Sequence, residues 1–141
     1  MKKDYRVMIC GSRTFSDYSL LEEQVILALN KRNITRAEHN IIIISGKAKG
    51  ADTLGEQFAK QYELQVEEYP AKWNDFSEPC RIKYNKFGNP YNALAGMNRN
   101  TDMINVSDLV IMFHDGKSKG TLDDWNKCKK LNKDYEYILY K

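Results

Sequence analysis

IIIISGKAKGAD (residues 41–52) decides the fold. The run of β-branched residues 41–44 has no polar alternation, which suits a central parallel strand covered on both faces. A glycine- and lysine-bearing turn follows, and after it Leu54, Phe58 and Tyr62 recur at helical spacing. The same punctuation occurs twice more. YRVMIC (5–10) runs into GSRTF (11–15), and DLVIMFHD (108–115) runs into GKSKGT (116–121). In a parallel sheet all three turns lie beside the carboxyl ends of the strands, the edge where open α/β sheets bind ligands. Helix N-termini and turn cations favour a phosphate there.

Working outward, residues 6–10 read as the first strand, and Leu21, Val25, Ala28 and Leu29 as the buried stripe of the first helix. Ser19 with Glu22, Thr53 with Glu56, and Thr121 with Asp124 carry the spacing of capping boxes. Residues 64–69 read as a third strand stopped by Pro70, 109–113 as a fourth, and 135–140 as an edge strand. Leu94, Met97, Thr101 and Ile104 form a further apolar stripe. Gly96, Arg99 and Met103 share another face, where the glycine leaves room for a bulky partner beside the arginine. The order βαβαβ–loop–αβαβ predicts an α/β three-layer sandwich, a Rossmann-like, mainly parallel five-stranded sheet of order 3-2-1-4-5 with helices on both faces. The 141 residues read as one domain, interrupted by a long inserted loop at 74–93 that is rich in aromatics (Phe76, Tyr84, Phe87, Tyr91, just after Trp73) and cations (Arg81, Lys83, Lys86).

Bulk properties exclude several classes. Hydrophobic content of 42% and charged content of 29% describe a globular chain, and a net charge of +3 is too small to argue for nucleic acid. The apolar runs are strand-sized, so no membrane span is expected. Cys10, Cys80 and Cys128 are odd in number and scattered, which fits reduced thiols and a cytoplasmic location. No G-x-G-x-x-G follows a strand, and Ile111 stands where a P-loop ending in Gly116-Lys117-Ser118 needs its first glycine. His39 and His114 are isolated, so neither a metal nor a cofactor is expected.

The candidate ligand-binding residues follow from the turns. Gly11, Ser12 and Arg13 stand in the first, where an arginine can clamp a phosphate or carboxylate. The second holds Gly46, Lys47, Ala48, Lys49 and Gly50, with Asp52 as a helix cap or a ribose acceptor. In the third, Gly116 and Gly120 let the backbone approach an anion, and Lys117, Ser118, Lys119 and Thr121 add donors. Asp124, three residues after Thr121, reads first as a cap. Convergence of Arg13, Lys47, Lys49, Lys117 and Lys119 on one edge argues for an anionic small ligand.

The ordered pattern GSRTF, IISGKAKGAD, YPAKW, AGMNRNTDMI and SDLVIMFHDGKSKGT resembles the SLOG superfamily of Rossmann-like proteins, in particular its YspA- and YpsA-related branch. The match runs from about Tyr5 to Lys130. The resemblance implies a nucleotide-like ligand at the glycine turns and adds Phe15, Trp73, Gly96, Arg99 and Asn100 to the site. In the phosphoribohydrolases of that superfamily an arginine on the helix before the fourth strand and an acid after the glycine-threonine turn are catalytic. Arg99 and Asp124 match those positions, with aspartate for the family's glutamate and Lys117 where the hydrolases have a second glycine. The reading that follows is binding, by sensing or sequestration, of an ADP-ribose-type or cyclic nucleotide signal. A phage-type sponge against a nucleotide-signalling defence is one version of it. The enzymatic alternative is an N-glycosidase releasing a free base, with Arg99 and Asp124 as its catalytic residues. A nucleic-acid partner is the third reading, disfavoured by the charge. The aromatic loop and the resemblance together point to a homo-oligomer.

Overall fold

Alternation along one strand divides the core in two. In β1 (Lys3–Gly11), Val7 and Ile9 face one side and Met8 and Cys10 the other. The computed structural model describes residues 2–77 and 79–140; Glu78 of the predicted loop lies outside them. After β1 come α1 (Tyr18–Lys31), β2 (His39–Ser45), α2 (Ala51–Gln61) and β3 (Gln65–Glu68). A short antiparallel pair, β4 (Ile82–Tyr84) and β5 (Pro90–Asn92), precedes α3 (Ala95–Val106), β6 (Leu109–His114), α4 (Lys119–Lys130) and β7 (Tyr135–Leu139).

The main sheet has the order β3-β2-β1-β6-β7 and every pairing in it is parallel. Counting only its own strands, this is the expected 3-2-1-4-5. Helices α1 and α2 cover the face of Val7, Ile9, Ile43 and Ile111, while α3 and α4 cover the face of Met8, Ile42, Val110 and Met112. The reversal of direction falls between β1 and β6, so their carboxyl ends open a crevice. None of the described helices is long and apolar enough to cross a membrane, and the three cysteines are free thiols.

Several local expectations are corrected. Asp17, not Ser19, caps α1, its Oδ1 accepting from Leu20 N at 3.0 Å; Glu22 reaches α2 instead, accepting from Tyr62 Oη at 2.6 Å. Gly50 is the N-cap of α2, and Thr53 Oγ1 donates to Ala48 O. Helix α4 begins at Lys119, which puts Thr121 and Asp124 inside it rather than at a cap. On α3 the buried residues are Ala95, Met103 and Ile104; Met97 is exposed. Met103 therefore belongs to the core, and Arg99 sits on the edge of that buried face.

The predicted loop at 74–93 is largely built. Asn92 is buried and uses all its hydrogen-bonding capacity: Oδ1 accepts from Arg81 N (3.1 Å) and Leu94 N (2.9 Å), and Nδ2 donates to Asp75 O (3.0 Å) and Pro79 O (3.2 Å). The β4–β5 hairpin is thus an arm clamped at its base. Asn92→Ala is expected to cost about 2–3 kcal/mol, because it strands several donors and acceptors at once. Urea unfolding gives that number, and limited proteolysis should show new cleavage confined to the arm.

Candidate functional site

The first turn is packed directly against each of the other two. Ser12 N donates to Phe113 O at 2.9 Å, and Ser12 Oγ accepts from Asp115 N at 3.1 Å, joining the ends of β1 and β6. A Cβ on Gly11 would lie 2.2 Å from Phe113 O, so only glycine permits this approach. Gly50, at φ 79°, rests on the carbonyls of Ser12 and Arg13 and brings the second turn against the first.

Between them lies a crevice of about 400 Å³. Met8 and Cys10 line it from the sheet. Gly11, Ser12, Arg13 and Thr14 line it from the first turn, and Ala48 and Asp52 from the second. Arg99 and Asn100 of α3, and Asp115, Ser118, Gly120, Thr121 and Asp124 around the start of α4, complete it.

Two carboxylates in this crevice are buried. Asp52 Oδ2 accepts from Gly46 N at 3.1 Å, and the carboxylate is also bonded by Ala48 N. Burial raises its pKa to about 6, against the lowering effect of Arg99 and these backbone donors. Asp124 has fewer partners, the Cys10 thiol being its one side-chain hydrogen-bonding neighbour among the described residues. Burial raises its pKa to about 7, with Lys127 opposing and Asp123 and Asp52 reinforcing the rise. Its Oδ1 has no hydrogen-bond partner among the described residues. The Cys10 thiol, beside both acids, is pushed well up by burial and then by their charge.

Arg99 is held by the backbone rather than by an acid. Nη1 donates to Gly46 O and, at 3.3 Å, to Tyr69 O, while Nε donates to Asn100 Oδ1 at 2.6 Å. Gly46 has no room for a side chain, since a Cβ there would lie 2.8 Å from Asp52 Oδ2 and 3.0 Å from Arg99 Nη1.

The start of α4 supplies the anion-seeking element. Ser118 is its N-cap and makes no side-chain cap bond. The N–H groups of Lys119, Gly120 and Thr121 have no backbone partner among the described residues, the ladder starting with Leu122 N to Ser118 O. Asp115 shapes the turn before it: Oδ1 accepts from Lys117 N and Ser118 N, both at 2.8 Å, and these bonds hold its pKa down. His114 Nε2 lies 3.0 Å from Ser118 O and Nδ1 2.7 Å from Tyr137 Oη. A carbonyl only accepts, so Nε2 carries the proton and ties the N-cap to β6.

Some expected site residues lie elsewhere. Phe15 is core, stacked 4.7 Å from Phe113 and packed on Tyr140. Lys47 has φ 63° and ion pairs of 2.9 Å to both Glu56 and Glu68, which hold it away from the crevice. Of the five turn cations only Arg13 lines the crevice; Lys49, Lys117 and Lys119 are exposed outside it. Gly46 and Gly50 support the turns from behind, and Gly116 is outside the lining. Trp73 and Gly96 meet on the far side of Arg99, where a Cβ on Gly96 would lie 3.6 Å from Trp73 Cη2 and 3.7 Å from Arg99 Nη2. Sequence reasoning overlooked Met8, Cys10, Thr14 and Asp115. The first two follow from alternation along β1, and Asp115 precedes a glycine as turn-forming aspartates do.

No curated protein sequence matches the chain. Among solved structures, the X-ray structure of DNA processing protein A (DprA) from Streptococcus pneumoniae is similar, with a TM-score of 0.64 and 21% identity over 99% of this chain and 51% of that one. The chain thus spans about half the length of that protein, and the likeness concerns the fold. A family model, the YspA, cpYpsA-related SLOG family, matches residues 5–76, half of the 141 residues and the segment carrying the first two turns. The chain belongs to the YspA, cpYpsA-related SLOG family.

Proposed function

We propose that the crevice binds a nucleotide or nucleotide-derived molecule, as a sensing or sequestering site. A phosphate is received by the N–H groups at the start of α4 together with Arg13, and ribose hydroxyls donate to the buried acids. The observation that carries this reading is Asp124 Oδ1, a buried acceptor with no hydrogen-bond partner among the described residues, beside a helix N-terminus whose first N–H groups have no backbone partner there. An orphaned buried acceptor costs about 1–3 kcal/mol, which a ligand hydroxyl would recover. Calorimetry with nucleoside monophosphates, ADP-ribose derivatives and cyclic nucleotides tests it. Micromolar binding of one class is expected, weakened about tenfold or more by Asp124→Asn. Absence of binding across the panel at millimolar concentration overturns the proposal.

A second reading is hydrolysis of an N-glycosidic bond, favoured by the near-neutral pKa values of Asp124 and Asp52. The C1′–N bond breaks and its electron pair leaves with the base. A water oxygen bonds to C1′, its proton passing through a carboxylate to the base nitrogen. Ionised Asp124 stabilises the positive charge that develops on the sugar. Chromatography would then show free base from the wild type and none from Asp124→Asn; binding without product leaves the site a receptor.

A further inference from the structure

Arg99 lines the crevice and also a groove of about 480 Å³ between the end of β3 and α3. The volume is in the range that takes a small molecule. Apolar surface in the groove comes from Tyr69, Pro70, Ala95 and Val106. One wall is the base of the arm, where the side chain of Asn92 is fixed by its bonds to Asp75, Pro79, Arg81 and Leu94. The groove is therefore held open by ordered structure.

Its charges cancel. Glu68, Asp75 and Asp102 stand in the lining with Lys72 and Arg99, and Glu68 Oε2 is already engaged by Lys47 Nζ at 2.9 Å. That leaves Asp75 and Asp102 facing Lys72 and Arg99, an even balance of sign. No net field draws an ion into the groove. Its apolar floor, with a few polar groups around it, suits an uncharged molecule that has a hydrogen-bonding edge. Asp102 accepts at such an edge, and the planar guanidinium of Arg99 offers a surface on which a flat ring stacks.

The acids of the crevice approach this groove at Arg99. Asp52 Oδ2 and Arg99 Nη1 lie 2.8 and 3.0 Å from one point, the place of a Cβ on Gly46. Arg99 Nη1 and Nε are occupied by Gly46 O, Tyr69 O and Asn100 Oδ1, whereas Nη2 has no hydrogen-bond partner among the described residues. Gly96 keeps the space beside Nη2 clear toward the exposed Trp73. A nucleotide with its phosphate at the start of α4 and its ribose on the buried acids still has its base to place. We propose that the base passes Arg99 and lies in the α3 groove, which makes the groove a subsite for an uncharged nitrogen heterocycle. This inference rests on the nucleotide reading of the crevice and adds to it where the recognition of the base occurs.

Calorimetry of the full chain with ribose 5-phosphate and with AMP, GMP, CMP and UMP tests it. At least one nucleotide is expected to bind about tenfold or more tightly than the sugar phosphate. Asp102→Ala and Val106→Arg, both at exposed positions, should remove that advantage. Ribose 5-phosphate has nothing to place in the groove and should bind wild type and groove variants alike. Asp124→Asn, in the crevice, should weaken both kinds of ligand by the same factor. Unchanged thermal melts identify variants that fold. Equal affinity for the sugar phosphate and every nucleotide overturns the inference while leaving the crevice a phosphate site. A preference for nucleotides that survives both groove variants also overturns it, because the base then lies elsewhere. No binding of either kind overturns the nucleotide reading and this inference with it.

Discussion

Asp124→Asn is expected to make the protein more stable at pH 8 by about 2–4 kcal/mol, and to leave it nearly unchanged at pH 4. An unfolded aspartate titrates near 3.8, whereas burial lifts Asp124 in the folded chain to about 7. Between those values the folded protein holds a proton that the unfolded chain has released. The stabilising contribution of this group is therefore complete below about pH 4 and is lost as pH rises through 7. Above that, a buried carboxylate with an unpartnered oxygen is ionised at the expense of the fold. Asparagine never ionises and escapes the penalty. Asp52, with its pKa raised to about 6, adds a smaller loss in the same direction. Differential scanning calorimetry from pH 4 to 8 checks this, with about 5–10 °C separating variant and wild type at the alkaline end. Parallel curves for the two proteins would refute it.

Gly50→Ala should destabilise the chain by about 3–5 kcal/mol and lower its melting temperature by about 10–15 °C. Two effects add. Gly50 has φ 79° and ψ −125°, a conformation that side-chain-bearing residues rarely adopt. A Cβ would also stand 2.3 Å from Ser12 O and 2.7 Å from Arg13 O, both rigid backbone atoms at the end of a central strand. The second turn must back away from the first, and the crevice opens. Gly88 shares the φ of 79°, but among the described residues nothing lies within 4 Å of where its Cβ would stand. Gly88→Ala should cost only about 1 kcal/mol. A loss at Gly50 no larger than that at Gly88 would show that the turns do not depend on close approach.

The sheet was legible because its causes are local or topological. Isoleucine runs, helical stripes and right-handed crossovers settle order and direction without any distant contact. The crevice follows from them, with Ser12, Arg13, Asp52, Arg99 and Thr121 brought to one edge. Individual roles were less legible, because they depend on which side chains meet once the chain has folded. Thr121 and Asp124 have the spacing of a capping box, and no periodic signal marks the earlier start of α4. That start is set by the Asp115 turn and by His114 holding Ser118. Phe15 looked available in an exposed turn, but Phe113 and Tyr140 draw it inward. Lys47 looked free until Glu56 and Glu68 were placed beside it. The arm was hidden by the length of its strands, since three residues each (Ile82–Tyr84 and Pro90–Asn92) are too few to show a period.

The clamp at the base of the arm has an evolutionary consequence. Ala93 N donates to Arg81 O at 2.8 Å, so the chain leaves and returns at a closed neck. Beyond such a neck the entropy of closing a loop grows only slowly with its length. Residues of the arm can be added, lost or exchanged without moving the register of β1 and β6 or the floor of the crevice. The surface of the arm and the lining of the crevice can therefore change at different rates in descendants of one scaffold.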